Sequence, residues 1–136
     1  MKATRGFAIV SAIFILVVLA ALGAFILSIS SQQQIGSALD VQGVRAYQAA
    51  RAGVEWGLYR QLQNGSCAAS SSFVPVAATL AGFTVTVTCA ALPGGSGGPT
   101  VYSVIATACS QPNAGNCPNT ANPGPLYIER RLTVTF

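Results

Sequence analysis

Between Phe7 and Leu27 the chain carries an apolar run broken only by Ser11 and Gly23. A run of roughly 20 such residues is long enough to cross a bilayer as a helix. A secretory signal has a shorter apolar core of about 7–15 residues, followed by a small-residue cleavage site. Ala20, Ala21 and Ala24 could imitate such a site, so a cleaved signal is the competing reading. The helical pattern continues beyond them, however. No proline occurs before Pro75, and the first turn-like residues are Asn64-Gly65-Ser66. Lys2 and Arg5 precede the run, and basic residues flanking a first span tend to stay in the cytoplasm. The rest of the chain is then expected on the opposite side.

From Ser28 to about Leu62 the sequence turns amphipathic without a breaker. Tyr47, Ala50, Val54, Leu58 and Leu62 recur at steps of three and four, the spacing of one helix face. Gln32, Gln33 and Gln34 mark the expected exit from lipid. A helix from Phe7 to Leu62 spans about 80 Å at ~1.5 Å per residue, of which a bilayer core takes up about 30 Å. Ala49, Gly53 and Gly57 share a stripe that lets another element approach closely. Gly36 and Gly43 have no evident packing role; a segment that unwinds and simple tolerance of glycine both remain open. Arg51 and Glu55 are spaced as an i,i+4 pair on a solvated face.

Charge narrows the function classes. The net charge is +4; setting aside Lys2 and Arg5 leaves five arginines against Asp40, Glu55 and Glu129. That is no nucleic-acid footprint, which clusters several Lys and Arg on one face. There is no histidine, and the three carboxylates are scattered. General acid–base catalysis and hydrolytic zinc sites draw on those groups, so the expectation is a non-enzyme without a cofactor or a metal.

The second half reads as strands. Gly82 to Cys89 alternates strictly, with Phe83, Val85, Val87 and Cys89 on one face and threonines on the other. Thr100–Cys109 and Tyr127–Phe136 are two further strands, and in the last Arg130, Ile128, Leu132, Val134 and Phe136 share a side. The simplest assembly is an α+β domain: an antiparallel sheet of about three strands on the Tyr47–Leu62 helix. Pro93–Pro99 is glycine-rich but lacks P-loop register and reads as a flexible turn. Ser110–Pro125, rich in Asn, Pro and Gly, reads as a surface loop. Cys67, Cys89, Cys109 and Cys117 form an even set, as in small extracytoplasmic domains. Of three possible pairings, Cys109–Cys117 with Cys67–Cys89 is favoured, because it closes the loop and fixes the helix-to-sheet connection. The wide cysteine spacing lacks zinc-finger character.

Arg5-Gly6-Phe7, a short basic leader ending in Gly ahead of Phe and an unbroken apolar helix, resembles the class III signal of type IV pilins and pseudopilins. The resemblance implies cleavage by a prepilin peptidase between Gly6 and Phe7, methylation of the new N-terminus, and retention of the helix. Pilins of this family usually carry Glu where this chain has Ser11; subunits lacking that Glu tend to sit at the filament tip. A tip-proximal role and a plain hydrogen bond from Ser11 to a carbonyl of its own helix both stay open. The segment Ala46-Tyr47-Gln48-Ala49-Ala50-Arg51-Ala52-Gly53-Val54-Glu55-Trp56-Gly57 is similar to one in MSHA-type pilus biogenesis proteins of the MshP kind. With the leader and closing strand, the likeness spans most of the chain.

The implied organisation is a leader over 1–6, a membrane-spanning assembly helix over 7–31, an amphipathic periplasmic helix over 32–63 and a disulfide-stapled sheet domain over 64–136. The implied partners are other pilin subunits, the prepilin peptidase and inner-membrane lipid, with the sheet domain in the periplasm. A minor pseudopilin of a type II secretion system and an unprocessed membrane-tethered binding domain are the alternatives.

Overall fold

A computed structural model describes residues 5–136; residues 1–4 of the expected leader lie outside the described residues. A single helix, α1 (Arg5–Asn64, 60 residues), is followed by strands β1 (Ser71–Phe73), β2 (Thr84–Leu92), β3 (Val101–Cys109) and β4 (Glu129–Thr135). The chain forms two compact units, Met1–Ala38 and Leu39–Phe136. Among the described residues the first is α1 alone; the second holds the remainder of α1 and the sheet.

No proline interrupts α1, and among its described side chains no charge is buried, so the helix runs on until Gly65, whose φ of +61° ends it. Gly65 N–H donates to the Gln61 carbonyl (3.0 Å) and Ser66 N–H to the Arg60 carbonyl (3.1 Å). These bonds satisfy carbonyls that a helix end otherwise leaves unpaired.

The fold of the second unit is α+β, with a sheet in the order β1-β2-β3-β4, every pair antiparallel. There are four strands where three were expected. The added one, β1, pairs Phe73 with Val85 and Ser71 with Val87. At three residues, two of them serine, β1 carries no alternation of its own; it exists because β2 offers an open edge. Between β2 and β3, Gly95–Gly97 forms a single 3-10 turn, and Gly98 N–H donates to the Gly95 carbonyl at 3.2 Å.

Register places Val85 opposite Ala108, Val87 opposite Ala106, and Cys89 opposite Val104. Leu132 and Val134 of β4 continue those rows. This face packs on α1 through Ala46, Ala49, Ala50 and Val54, all buried. The helix face therefore differs from the expected one. Ala50 and Val54 belong to it and Leu58 packs against it, but Tyr47 is 44% exposed and Leu62 68%. Helix and sheet lie too close for large side chains. A Cβ on Gly53 would fall 2.5 Å from Val85 Cγ1 and 2.9 Å from Ala106 Cβ; one on Gly57 would fall 2.7 Å from Val104 Cγ1. The Ala49-Gly53-Gly57 stripe is thus a contact surface. Gly43, read from sequence as lacking a role, is buried under the Arg130 guanidinium, whose Nη2 would meet an added Cβ at 3.0 Å. Gly36 has open space around it.

Two disulfides, Cys67–Cys89 and Cys109–Cys117, close the favoured pairing. They sit on opposite faces of the sheet, because Cys89 aligns with the inward row of β2 and Cys109 with the threonine row.

Candidate functional site

The largest uncovered feature of the first unit is its apolar surface. Ile9, Val10, Ile13, Phe14, Leu16, Leu19, Leu22, Phe25 and Leu27 are each more than half exposed, with Phe14 at 68%. α1 contains an 18-residue window of mean hydropathy 3.0, none of it buried. It is one helix long and apolar enough to cross a membrane, near the N-terminus. An exposed apolar surface of this extent marks a lipid or protein contact. Ser11 lies half-buried on the same helix. Gly6 and Phe7, the expected processing pair, fall in the first turns of α1.

In the second unit the Ser110–Pro125 segment is largely exposed, as a surface loop, and is tied to the threonine face of the sheet at Asn116 and Cys117. Asn113-Ala114-Gly115-Asn116 makes a tight turn with Ala114 and Gly115 at positive φ (48° and 77°), and Asn113 and Asn116 exchange main-chain bonds of 2.9 Å. This is the two-residue turn that matches strand twist. Behind it a polar relay runs from one element to the next. Cys117 N–H donates to Thr86 Oγ1 at 2.8 Å, Thr86 Oγ1 and Ser72 Oγ are 2.7 Å apart, and the Ser72 hydroxyl donates to Asn116 Oδ1 at 2.7 Å. Ser72 gives its one proton to Asn116, so Thr86 donates to Ser72 and every member is satisfied. The relay ties β1, β2 and the loop together, and Thr86 within it is only 6% exposed.

The rest of the loop is tied equally locally. Asn119 Oδ1 accepts from Ala121 and Asn122 N–H, and Gln111 Oε1 accepts from Gly124 N–H. Tyr127 donates its hydroxyl to Glu129 Oε2 at 2.6 Å while accepting from Asn119 N–H. Burial, and next the hydrogen bond to Glu129, push the Tyr127 hydroxyl above its usual pKa of 10.0. Arg131 lies 3.8 Å from Glu129 Oε1 and donates to Thr107 Oγ1. These groups hold structure; among the described residues, no three His, Cys, Asp or Glu side chains gather as a metal site.

A further feature is an open groove of about 380 Å³ lined by Asp40, Gly43, Val44, Tyr47 and Arg130. Sequence reading missed it and the Ser72–Thr86–Asn116 relay alike. Both depend on strand register across 80 or more residues in the first case and 44 in the second, and no local pattern encodes that. No protein family, curated protein or solved structure matches the chain.

Proposed function

We propose that this chain is a pilin-like subunit, anchored in the bacterial inner membrane by the N-terminal part of α1, with its sheet domain in the periplasm. More particularly, it is a minor type IV pilin of an MSHA-type pilus, cleaved between Gly6 and Phe7, methylated at Phe7, and built into or priming the fibre. The observation that carries this reading is the bare apolar surface from Ile9 to Leu27, joined through α1 to a disulfide-stapled sheet. Moving one Leu, Ile or Phe side chain out of water is worth about 1.5–3 kcal/mol. A surface of this size therefore always has company: lipid before assembly, helices of neighbouring subunits afterwards. The mechanism is an exchange of apolar neighbours, and no residue performs chemistry on a substrate. Ser11 in place of an ionised side chain suits a subunit with no neighbour's terminal amine to neutralise, as at a fibre tip.

Intact mass and N-terminal sequencing of the membrane form test this. The expected product begins at a methylated Phe7 and retains both bridges; Gly6→Trp keeps Met1 and stops assembly. A wild-type chain that keeps Met1 turns the reading to a tethered binding domain. Deletion that blocks protein export but spares piliation turns it to a type II secretion pseudopilin.

A further inference from the structure

The two outer strands of the sheet are unlike. β1 offers three residues, one of which is clamped by the hydroxyl relay. β4 offers seven, with no Pro, Gly or Lys and an unbroken register against β3. Tyr102 and Phe136 exchange both main-chain bonds, at 2.8 and 3.0 Å. Paired positions alternate along an antiparallel ladder, so Arg130, Leu132 and Val134 bond to β3 while Glu129, Arg131, Thr133 and Thr135 turn their main chain outward. The Glu129 carbonyl accepts from Arg130 Nη1 at 3.0 Å. Among the described residues, the outward amides and carbonyls of Arg131, Thr133 and Thr135 have no partner. Such an edge is a template for one more strand unless it is blunted, and from Arg131 to Thr135 no described segment covers it.

The geometry points to β4 as a docking edge for an extended segment of another polypeptide, with alternating side chains and an acidic residue beside Arg130. The side-chain chemistry follows from the two faces. Arg131, Thr133 and Thr135 ask for polar neighbours on the outer face. On the helix side, half-buried Leu132 and Val134 ask for apolar ones. Charge chooses between a second copy and a different chain. Along this edge the chain's one carboxylate is Glu129, already engaged by Tyr127 and Arg131. Arg130 is exposed and lines the groove with Asp40, Val44 and Tyr47, yet it lies beyond ion-pair distance of Asp40 and forms no ion pair among the described residues. Antiparallel pairing of two β4 edges sets Arg130 opposite Arg130, Leu132 or Val134 of the copy, and none of them supplies a carboxylate. This inference stands whether or not the chain is processed at Gly6.

The test uses the full chain in detergent and a fluorescein-labelled peptide, acetyl-Thr-Ile-Thr-Val-Ser-Glu-Thr-amide, which in antiparallel register sets Glu opposite Arg130. Saturable binding is expected, slowing amide exchange at Arg131, Thr133 and Thr135 at least tenfold while β1 is unaffected. Thr133→Pro removes an edge donor without touching the β3 ladder and is expected to weaken binding at least tenfold; Thr135→Pro serves if that variant unfolds. Replacing Glu by Lys in the peptide is expected to weaken it at least fivefold. No protection at millimolar peptide, or binding indifferent to the proline variants, overturns the proposal. So does self-association of the chain that Thr133→Pro abolishes, since the occupant is then a second copy.

Discussion

Along α1 the fully buried side chains against the sheet are smaller than the exposed ones of the first unit, with Trp56 and Leu58 packed partly buried at the margin. Ala46, Ala49, Ala50 and Gly53 are buried, while Phe14, Leu16, Phe25 and Leu27 lie bare. The usual association of size with burial is inverted within one continuous helix. The inversion separates two kinds of contact. The sheet approaches the helix backbone so closely that a methyl group is almost too much, and stability there comes from proximity over many atoms. The bare stretch carries its bulk exposed.

The contrast can be broken at its tightest point first. Gly53→Leu puts a side chain where even a Cβ lies 2.5 Å from Val85 Cγ1. Overpacking of this kind costs about 3 kcal/mol or more, to be read as a lowered denaturant midpoint. Trp56, the single tryptophan and 5.3 Å from Phe73 between ring centres, reports the transition. Next comes the paired change Cys67→Ser with Cys89→Ser. It opens a link of sequence separation 22 and is expected to cost about 3 kcal/mol, in the same assay.

Tyr127 has a smaller influence, visible through pH. Its pKa is raised in the folded chain, so its contribution is fully present below the unfolded value of 10.0 and is lost as pH climbs through the folded one. Stability of the wild type should therefore fall more steeply above pH 10 than that of Tyr127→Phe, in parallel denaturation curves. The smallest effect on folding belongs to the bare stretch. Phe14→Ser should move the midpoint by less than about 0.5 kcal/mol, yet shift the chain from the membrane pellet toward the soluble fraction. A large loss of stability in that variant would break the contrast drawn here.

Much of this was legible without coordinates. The apolar run and the length of α1 follow from an uninterrupted pattern, β2 from a strict period-two alternation of threonines and valines, and β4 from apolar residues sharing one side; β3 reads as a strand without such alternation. The boundaries moved by a residue or a few: Gly82–Cys89 became Thr84–Leu92, and Tyr127–Phe136 became Glu129–Thr135. What stayed illegible was tertiary in origin. Ser71–Phe73 pairs because of its neighbour. Gly43 is buried because Arg130 reaches it from 87 positions away in sequence. The helix face was misjudged at Tyr47 and Leu62, because periodicity favours large apolar residues, whereas the closest approach, at Ala49, Gly53 and Gly57, selects the smallest. The four cysteines showed where the candidate bridges were; the relay behind Cys117 needed register.

The Cys67–Cys89 link has a mechanical consequence. Cys67 lies three positions beyond the end of α1 and Cys89 lies within β2, an inner strand of the sheet. Tension applied along the helix axis therefore passes through a covalent tie into the strand flanked on both sides, and bypasses β1, the three-residue strand first in line to peel. Under load the weakest joint of the sheet is thereby taken out of the force path.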